Sequence, residues 1–214
     1  MAVKNTLNKV VKDYCSNVLM YDCPFVCLDG VVKYATNISK RLEENVRKSA
    51  LPILMETLTR VGEDIFVPDN SLKFDCEKTD ECLAKIMRNA TSLPLKAFKP
   101  LDDFPSFSNN WNWNIYVFEA YCYRFSKRFK LNSLMFNKTC SAGAVVRKED
   151  ERSFYDVVLD VVANAMDLDL TPKNVVNFLK ENGYIGKARY EKCELLVWDA
   201  LKVRADLGKN GGKK

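Results

Sequence analysis

The chain contains no histidine and only eight glycines among its 214 residues. Without histidine the commonest general base and nucleophile activator is missing, which weakens every triad-type hydrolase reading. The few glycines form neither a G-x-G-x-x-G nor a Walker-type loop, so no phosphate cradle of those kinds is present. Long hydrophobic runs are also lacking. Arg, Lys, Asp or Glu interrupts every apolar stretch before it reaches membrane-spanning length. The opening residues, Met1 to Lys9, have no apolar centre of the signal-peptide type. Together these absences point to a cytosolic protein that is not an enzyme and has no membrane partner and no small-molecule substrate. The Asn-x-Ser/Thr triplets at Asn37, Asn89 and Asn137 are then chance matches rather than glycosylation sites. There are eight cysteines, but Cys23-x3-Cys27 and Cys76-x5-Cys82 lack the usual zinc spacing, and no histidine can complete a mixed site. No metal or cofactor is therefore expected from spacing. The thiols should be reduced and mostly buried.

What is present is a globular composition, 47% apolar and 29% charged, with a net charge of +5. That mild excess of Lys and Arg permits nucleic-acid binding without demanding it. The spacing of apolar residues predicts a short helix or arm over 1–20 and helices over Val31–Asn45 and Ser49–Val61, the second capped by Ser49 and stopped at Gly62. A small β-ribbon is expected over Glu63–Glu77, around Pro68-Asp-Asn70. A third helix would follow, capped by Thr79 or Asp80. Prolines and asparagines break up 91–112, and Trp113–Lys130 resumes helical spacing, with Arg124, Lys127, Arg128 and Lys130 at its C-terminal end. Its aromatic stripe, including Trp113, Tyr116 and Tyr121, is read as core rather than as a base-stacking platform. Lys138–Val146 reads as a small-residue connector.

The stretch Val145–Ala165 combines a knot of mixed charge, Arg147 to Arg152, with an apolar stripe at Phe154, Val157, Val158, Val161, Val162 and Ala165. The stripe is that of a core-facing helix. Taken alone, the knot is a solvated helix start. Thr171-Pro172 caps a further helix, stopped by Gly183. The expected fold class is all-α, with a single domain over 1–207 and a flexible basic tail over 208–214.

Three stretches, in the same order, resemble the coat proteins of rod-shaped plant RNA viruses of the tobacco mosaic type. They are Phe66-Val-Pro-Asp-Asn-Ser-Leu-Lys-Phe74 with Thr79-Asp-Glu-Cys-Leu83, then Arg147-Lys-Glu-Asp-Glu151 before a long apolar helix, then Gly183-Tyr184 with Arg189-Tyr-Glu191 and Leu196-Val-Trp198. The resemblance covers about 22–90 and 145–200. It implies an antiparallel four-helix bundle, with 91–144 as an insertion carrying an extra helix. It further implies a structural capsid protein that polymerises helically around single-stranded genomic RNA to form a rod-shaped virion in the host cytoplasm, its partners being viral RNA and further copies of itself. On the matching positions, Arg147, Lys148 and Arg88 would take phosphates, and Asp150 or Glu151 would reach a ribose hydroxyl or hold the arginines. Glu56 and Asp80 would form an intersubunit carboxylate pair, neutralised by protons or by Ca2+. The family's arginine pair after the third helix is half reproduced, and Lys96, Lys99, Arg124 or Arg128 are the candidates to compensate. The alternative reading is a small all-α viral RNA-binding regulator or silencing suppressor.

Overall fold

The computed structural model describes every residue except 1, 21–24, 39, 41–42, 100, 109–110, 188 and 212–214; the side chains of 2–5, 20, 43–45, 47–48 and 208–211 also lie outside the description. Eight α-helices and six strands are found among the described residues. The strands form two three-stranded antiparallel sheets, ordered β1-β3-β2 and β4-β6-β5. The fold therefore mixes α and β, and the all-α four-helix bundle expected from the sequence is not what the chain forms.

Helices α1 (Ala2–Met20), α2 (Leu28–Ile38) and α3 (Glu43–Thr57) pack on one another at the N-terminal side. Their shared core holds Leu7, Val11, Val31, Val32, Leu54 and Met55. Helix α2 ends at Ile38 and α3 begins at Glu43, and Ser49, expected to cap a new helix, sits with Pro52 inside α3. Strands β1 (Val26–Cys27), β2 (Thr59–Arg60) and β3 (Ile65–Val67) close this unit. The expected ribbon is thus only partly formed. Strand β3 pairs with β1 and β2, and Asp69–Ser71 is a 3-10 turn rather than the tip of a hairpin.

Helix α4 (Cys76–Ile86) is capped by Asp75, whose side chain accepts from the Lys78 N–H, four residues earlier than Thr79 and five earlier than Asp80. Strand β4 (Ser92–Pro94) follows. Asn114 caps α5 (Ile115–Ala120), accepting from the N–H groups of Tyr116 and Val117. The helix expected to reach Lys130 instead passes through a π-helical turn over Tyr121–Phe125 and stops at Ser126, which is extended. Phe129–Asn132 then forms β5. Ala144–Arg147, read from sequence as part of a connector, is the central strand β6.

One face of this second sheet, through Leu93, Phe129, Leu131 and Val145, packs with Leu83, Phe118 and Tyr121. The other, through Ala144 and Val146, packs on α6 (Phe154–Asn164), α7 (Pro172–Glu181) and α8 (Cys193–Gly211). A strand covered on both faces carries a continuous apolar run rather than an alternation. The segment 91–144 therefore supplies β4, α5 and β5 to the middle of the protein.

The C-terminal helices follow the sequence closely. Ser153 and Asp156 form a capping box at the start of α6, and Phe154, Val157, Val158 and Val162 are buried. Thr171 caps α7 with Pro172 in its first turn, and Gly183 ends it at φ +85°, a conformation that favours glycine. Helix α8 continues through Gly211, into the segment expected as a tail. From α8, Arg204 donates to the carbonyls of Val162, Ala163, Ala165 and Leu168, satisfying the open end of α6 and the turn after it.

Of the described cysteines, only Cys122 and Cys193 are buried. The aromatic stripe is core in part: Trp113 lies 5.6 Å from Phe74, 5.3 Å from Phe104 and 5.8 Å from Tyr121 between ring centroids, whereas Tyr116 is half-buried and Tyr123 exposed.

Candidate nucleic-acid interface

The charge knot straddles a strand end and a turn instead of heading a helix. Arg147 is the last residue of β6, directly opposite Phe129 of β5. The ladder continues one step further, because the Lys148 N–H donates to the Arg128 carbonyl at 2.9 Å. This register brings Lys127, Arg128, Arg147 and Lys148 to one end of the sheet. The guanidinium groups of Arg128 and Arg147 each lie 5.9 Å from the centre of the Phe129 ring, within cation–π range. Lys127, Arg128 and Lys148 are exposed and Arg147 is half-buried. Arg88 is exposed in the turn that leads from α4 into β4, whose Ser92 pairs with Val146. Among the described residues none of these five cations has an acidic partner within ion-pair distance. Such a cluster of unneutralised charge is a ready site for phosphates.

The backbone under this cluster is fixed by Asp80, which is 2% exposed. Its Oδ1 accepts from the Tyr121 hydroxyl at 2.8 Å and from Ser126 Oγ at 2.6 Å. Its Oδ2 accepts from the N–H groups of Lys127 at 2.8 Å and Arg128 at 3.0 Å. The lone pairs of Asp80 are thus engaged inside the subunit, the opposite of the exposed position an intersubunit carboxylate or a bridging Ca2+ needs. Glu56 is exposed near the end of α3, so the two acids do not make a shared surface pair. Asp150 is likewise occupied. It takes Arg152 bidentately, at 3.0 Å to Nε and 2.6 Å to Nη2, and this arginine holds its carboxyl below the usual range. Glu151 is exposed.

Of the four candidates to complete the arginine pair, Arg124 is bound to Asp69, and Lys96 reaches the Glu181 carbonyl at 3.4 Å. Lys99 is exposed on a separate loop, and Arg128 alone joins Arg147. Of the five cations at this sheet end, Arg88, Arg147 and Lys148 are expected phosphate sites from the resemblance, Arg128 is one of four candidates to compensate, and Lys127 is expected at a helix end. No local signal places Lys127 and Arg128, because helical spacing runs on through Ser126 and only the pairing of β5 with β6 sets them beside Arg147.

At the other end of β6 lies a groove of about 690 Å3 to which the sequence assigns no role, although Tyr184, Arg189, Tyr190 and Glu191 belong to the third stretch of the coat-protein resemblance. Its walls include Tyr155 at the start of α6, Tyr184 and Tyr190 from the segment between α7 and α8, and Leu134 and Met135 from the β5–β6 loop. Lys187, Arg189 and Lys192 stand at its edge, beside a single acid, Glu191. The Tyr155 hydroxyl donates to Asp199 of α8 at 2.7 Å, and Lys192 Nζ lies 5.6 Å from the Tyr155 ring centre. Burial, with Asp160 nearby, pushes the Tyr184 phenol up to about 12, so it is neutral at physiological pH. These tyrosines come from distant places in the chain, and only the fold assembles them.

No family model, no curated protein and no solved structure matches this chain.

Proposed function

We propose that the chain binds single-stranded RNA, taking its phosphates on Arg128, Arg147 and Lys148 with Lys127 and Arg88 beside them. The observation that carries this reading is the convergence of unpaired cations at one sheet end, on a turn that the buried Asp80 makes rigid. Rigid placement matters because it lowers the ordering entropy of binding. The four-helix bundle implied by the coat-protein resemblance is absent, so RNA binding rests here on this cluster and not on the fold.

The test is the salt dependence of affinity for a fluorescein-labelled single-stranded ribo-oligonucleotide. Each phosphate neutralised on a single strand contributes roughly −0.7 to the slope of log K against log salt. Arg128→Glu combined with Lys148→Glu changes two exposed side chains and should make the slope shallower by about 1.4. An unchanged slope in a folded variant rules the cluster out as the phosphate site.

A second reading, that copies of the chain assemble along RNA as a coat, is favoured by a different observation. Leu195, Trp198 and Leu201 are exposed in a row along α8, Trp198 by 60%, and a second copy of the chain is the occupant proposed for them. Residues three apart are neighbours on a helix surface, so the row is one continuous apolar strip. Head-to-tail contacts between this strip and another face of the next copy generate an open helix when the rotation does not close. Negative-stain microscopy of the protein with RNA at acidic and neutral pH decides it. Rods or stacked discs support the coat, and monodisperse particles throughout defeat it.

A further inference from the structure

We propose that the groove between the start of α6 and the segment 184–192 holds one nucleotide of a single strand, its base against the Tyr155 ring and its phosphate on Lys192 and Arg189. This inference rests on the reading of the chain as an RNA-binding protein and adds a base subsite to it. Volume is the first argument: about 690 Å3 lies in the range of pockets that enclose a small ligand. The second is preorganisation. The Tyr155 hydroxyl is held by Asp199, so the ring plane is fixed before anything binds. An aromatic side chain already immobilised loses no further rotamer entropy when a base stacks on it.

Charge complementarity selects the occupant. Lys187, Arg189 and Lys192 line the groove with one acid, Glu191, all four exposed, while Asp199 stands behind the Tyr155 hydroxyl and Asp160 near Tyr184. A protein partner would fit the tyrosines, Leu134 and Met135, but the cores of protein–protein interfaces are depleted in lysine. Three cations on one side of an aromatic-lined groove match a nucleotide, which brings a flat π-face and a negative charge together. Position agrees as well. The groove and the cation cluster lie at opposite ends of β6, a strand of four residues and therefore roughly 10 Å long at about 3.3 Å per residue. One strand of RNA can engage both.

Two probes separate base from phosphate: an oligouridylate, and an abasic phosphodiester oligomer of equal length. With the full chain, Tyr155→Leu should weaken the oligouridylate about tenfold and leave the abasic oligomer unchanged. Retained binding of the abasic oligomer also reports that this variant is folded. Lys192→Glu combined with Arg189→Glu, both exposed, should weaken both probes. An oligouridylate carrying 4-thiouridine should cross-link to the peptides that hold Tyr155 or Tyr190. If Tyr155→Leu lowers affinity for both probes equally or for neither, or if cross-links map only to the 127–148 region, the groove is not a base site while the RNA reading stands. If the unaltered chain binds neither probe, both fall together.

Discussion

Replacing Asp80 with alanine should destabilise the protein by about 3–5 kcal/mol, measured as a shift in the urea midpoint at constant slope. Its two oxygens accept from two hydroxyls and two backbone N–H groups in a site closed to water. Alanine leaves those donors facing a small void, and a buried donor without a partner loses its solvation with nothing in return. Asparagine should be far milder. Hydroxyls can rotate to accept, so the amide nitrogen can face Tyr121 and Ser126 while its oxygen keeps the Lys127 and Arg128 N–H groups. The ordering of Asp80→Ala far below Asp80→Asn is therefore specific to this geometry. An exposed carboxylate that repels a neighbouring subunit would behave otherwise. Its removal would leave monomer stability unchanged and strengthen assembly. Because the same carboxylate fixes the turn beneath Arg128, the alanine variant should also lose RNA affinity before it unfolds.

The second large effect lies where α5 crosses the N-terminal unit. Arg60 of β2 is 0% exposed and its Nη1 meets Glu119 Oε2 at 2.9 Å, with Glu119 1% exposed. The guanidinium also donates to the carbonyls of Gly62, Glu63 and Lys138, and stacks 4.4 Å from the Tyr116 ring centre. Replacing Arg60 with methionine should destabilise the chain by about 3–5 kcal/mol, because Glu119 and the carbonyls of Gly62, Glu63 and Lys138 all lose their donor in a site closed to water. Burial outweighs the attraction of Arg60 and pushes the Glu119 carboxyl up to about 7 from an ordinary 4.5. The folded state then holds a proton that the unfolded chain releases. The contribution of Glu119 to stability is full below pH 4.5, falls as pH rises through about 7, and is level above that. The gap corresponds to roughly 3 kcal/mol. Asp64, raised by burial, acts in the same direction, whereas Asp150 and Asp156, lowered by their partners, act in the opposite sense at lower pH. Comparing wild type with Glu119→Gln between pH 5 and 8 isolates the one residue. The Gln variant should lack most of the decline. Parallel stability curves for the two proteins would show that Glu119 is ionised throughout.

What the sequence revealed depended on how many neighbours an element has. Helix α6 was legible because one face is buried and one is wet, so Phe154, Val157, Val158 and Val162 recur at helical spacing. Helix α7 carried its own punctuation in Thr171, Pro172 and Gly183. Strand β6 was not legible, because Ala144, Val145 and Val146 are buried on both sides and show no period. Strand β5 was hidden behind α5, whose helical spacing runs on into it until Ser126 breaks the backbone. For the site, the charge pattern alone marks only a solvated helix start, and the coat-protein resemblance is what points to Arg147 and Lys148. Their true neighbours, Lys127 and Arg128, depend on a strand register that no local pattern encodes.

The position of β6 between β4 and β5 also sets an order of events during synthesis. Strand β5 can meet β6 by closing the short 133–143 loop, whereas β4 must close the whole 95–143 segment. Loop-closure entropy rises with length, so the β5–β6 pair should nucleate and β4 should join it afterwards. While the chain is still emerging and β6 has not been made, Leu93, Phe129 and Leu131 have no strand to cover them. The nascent protein therefore carries an uncovered apolar sheet face, a liability for aggregation, in the interval between the appearance of Asn132 and that of Arg147.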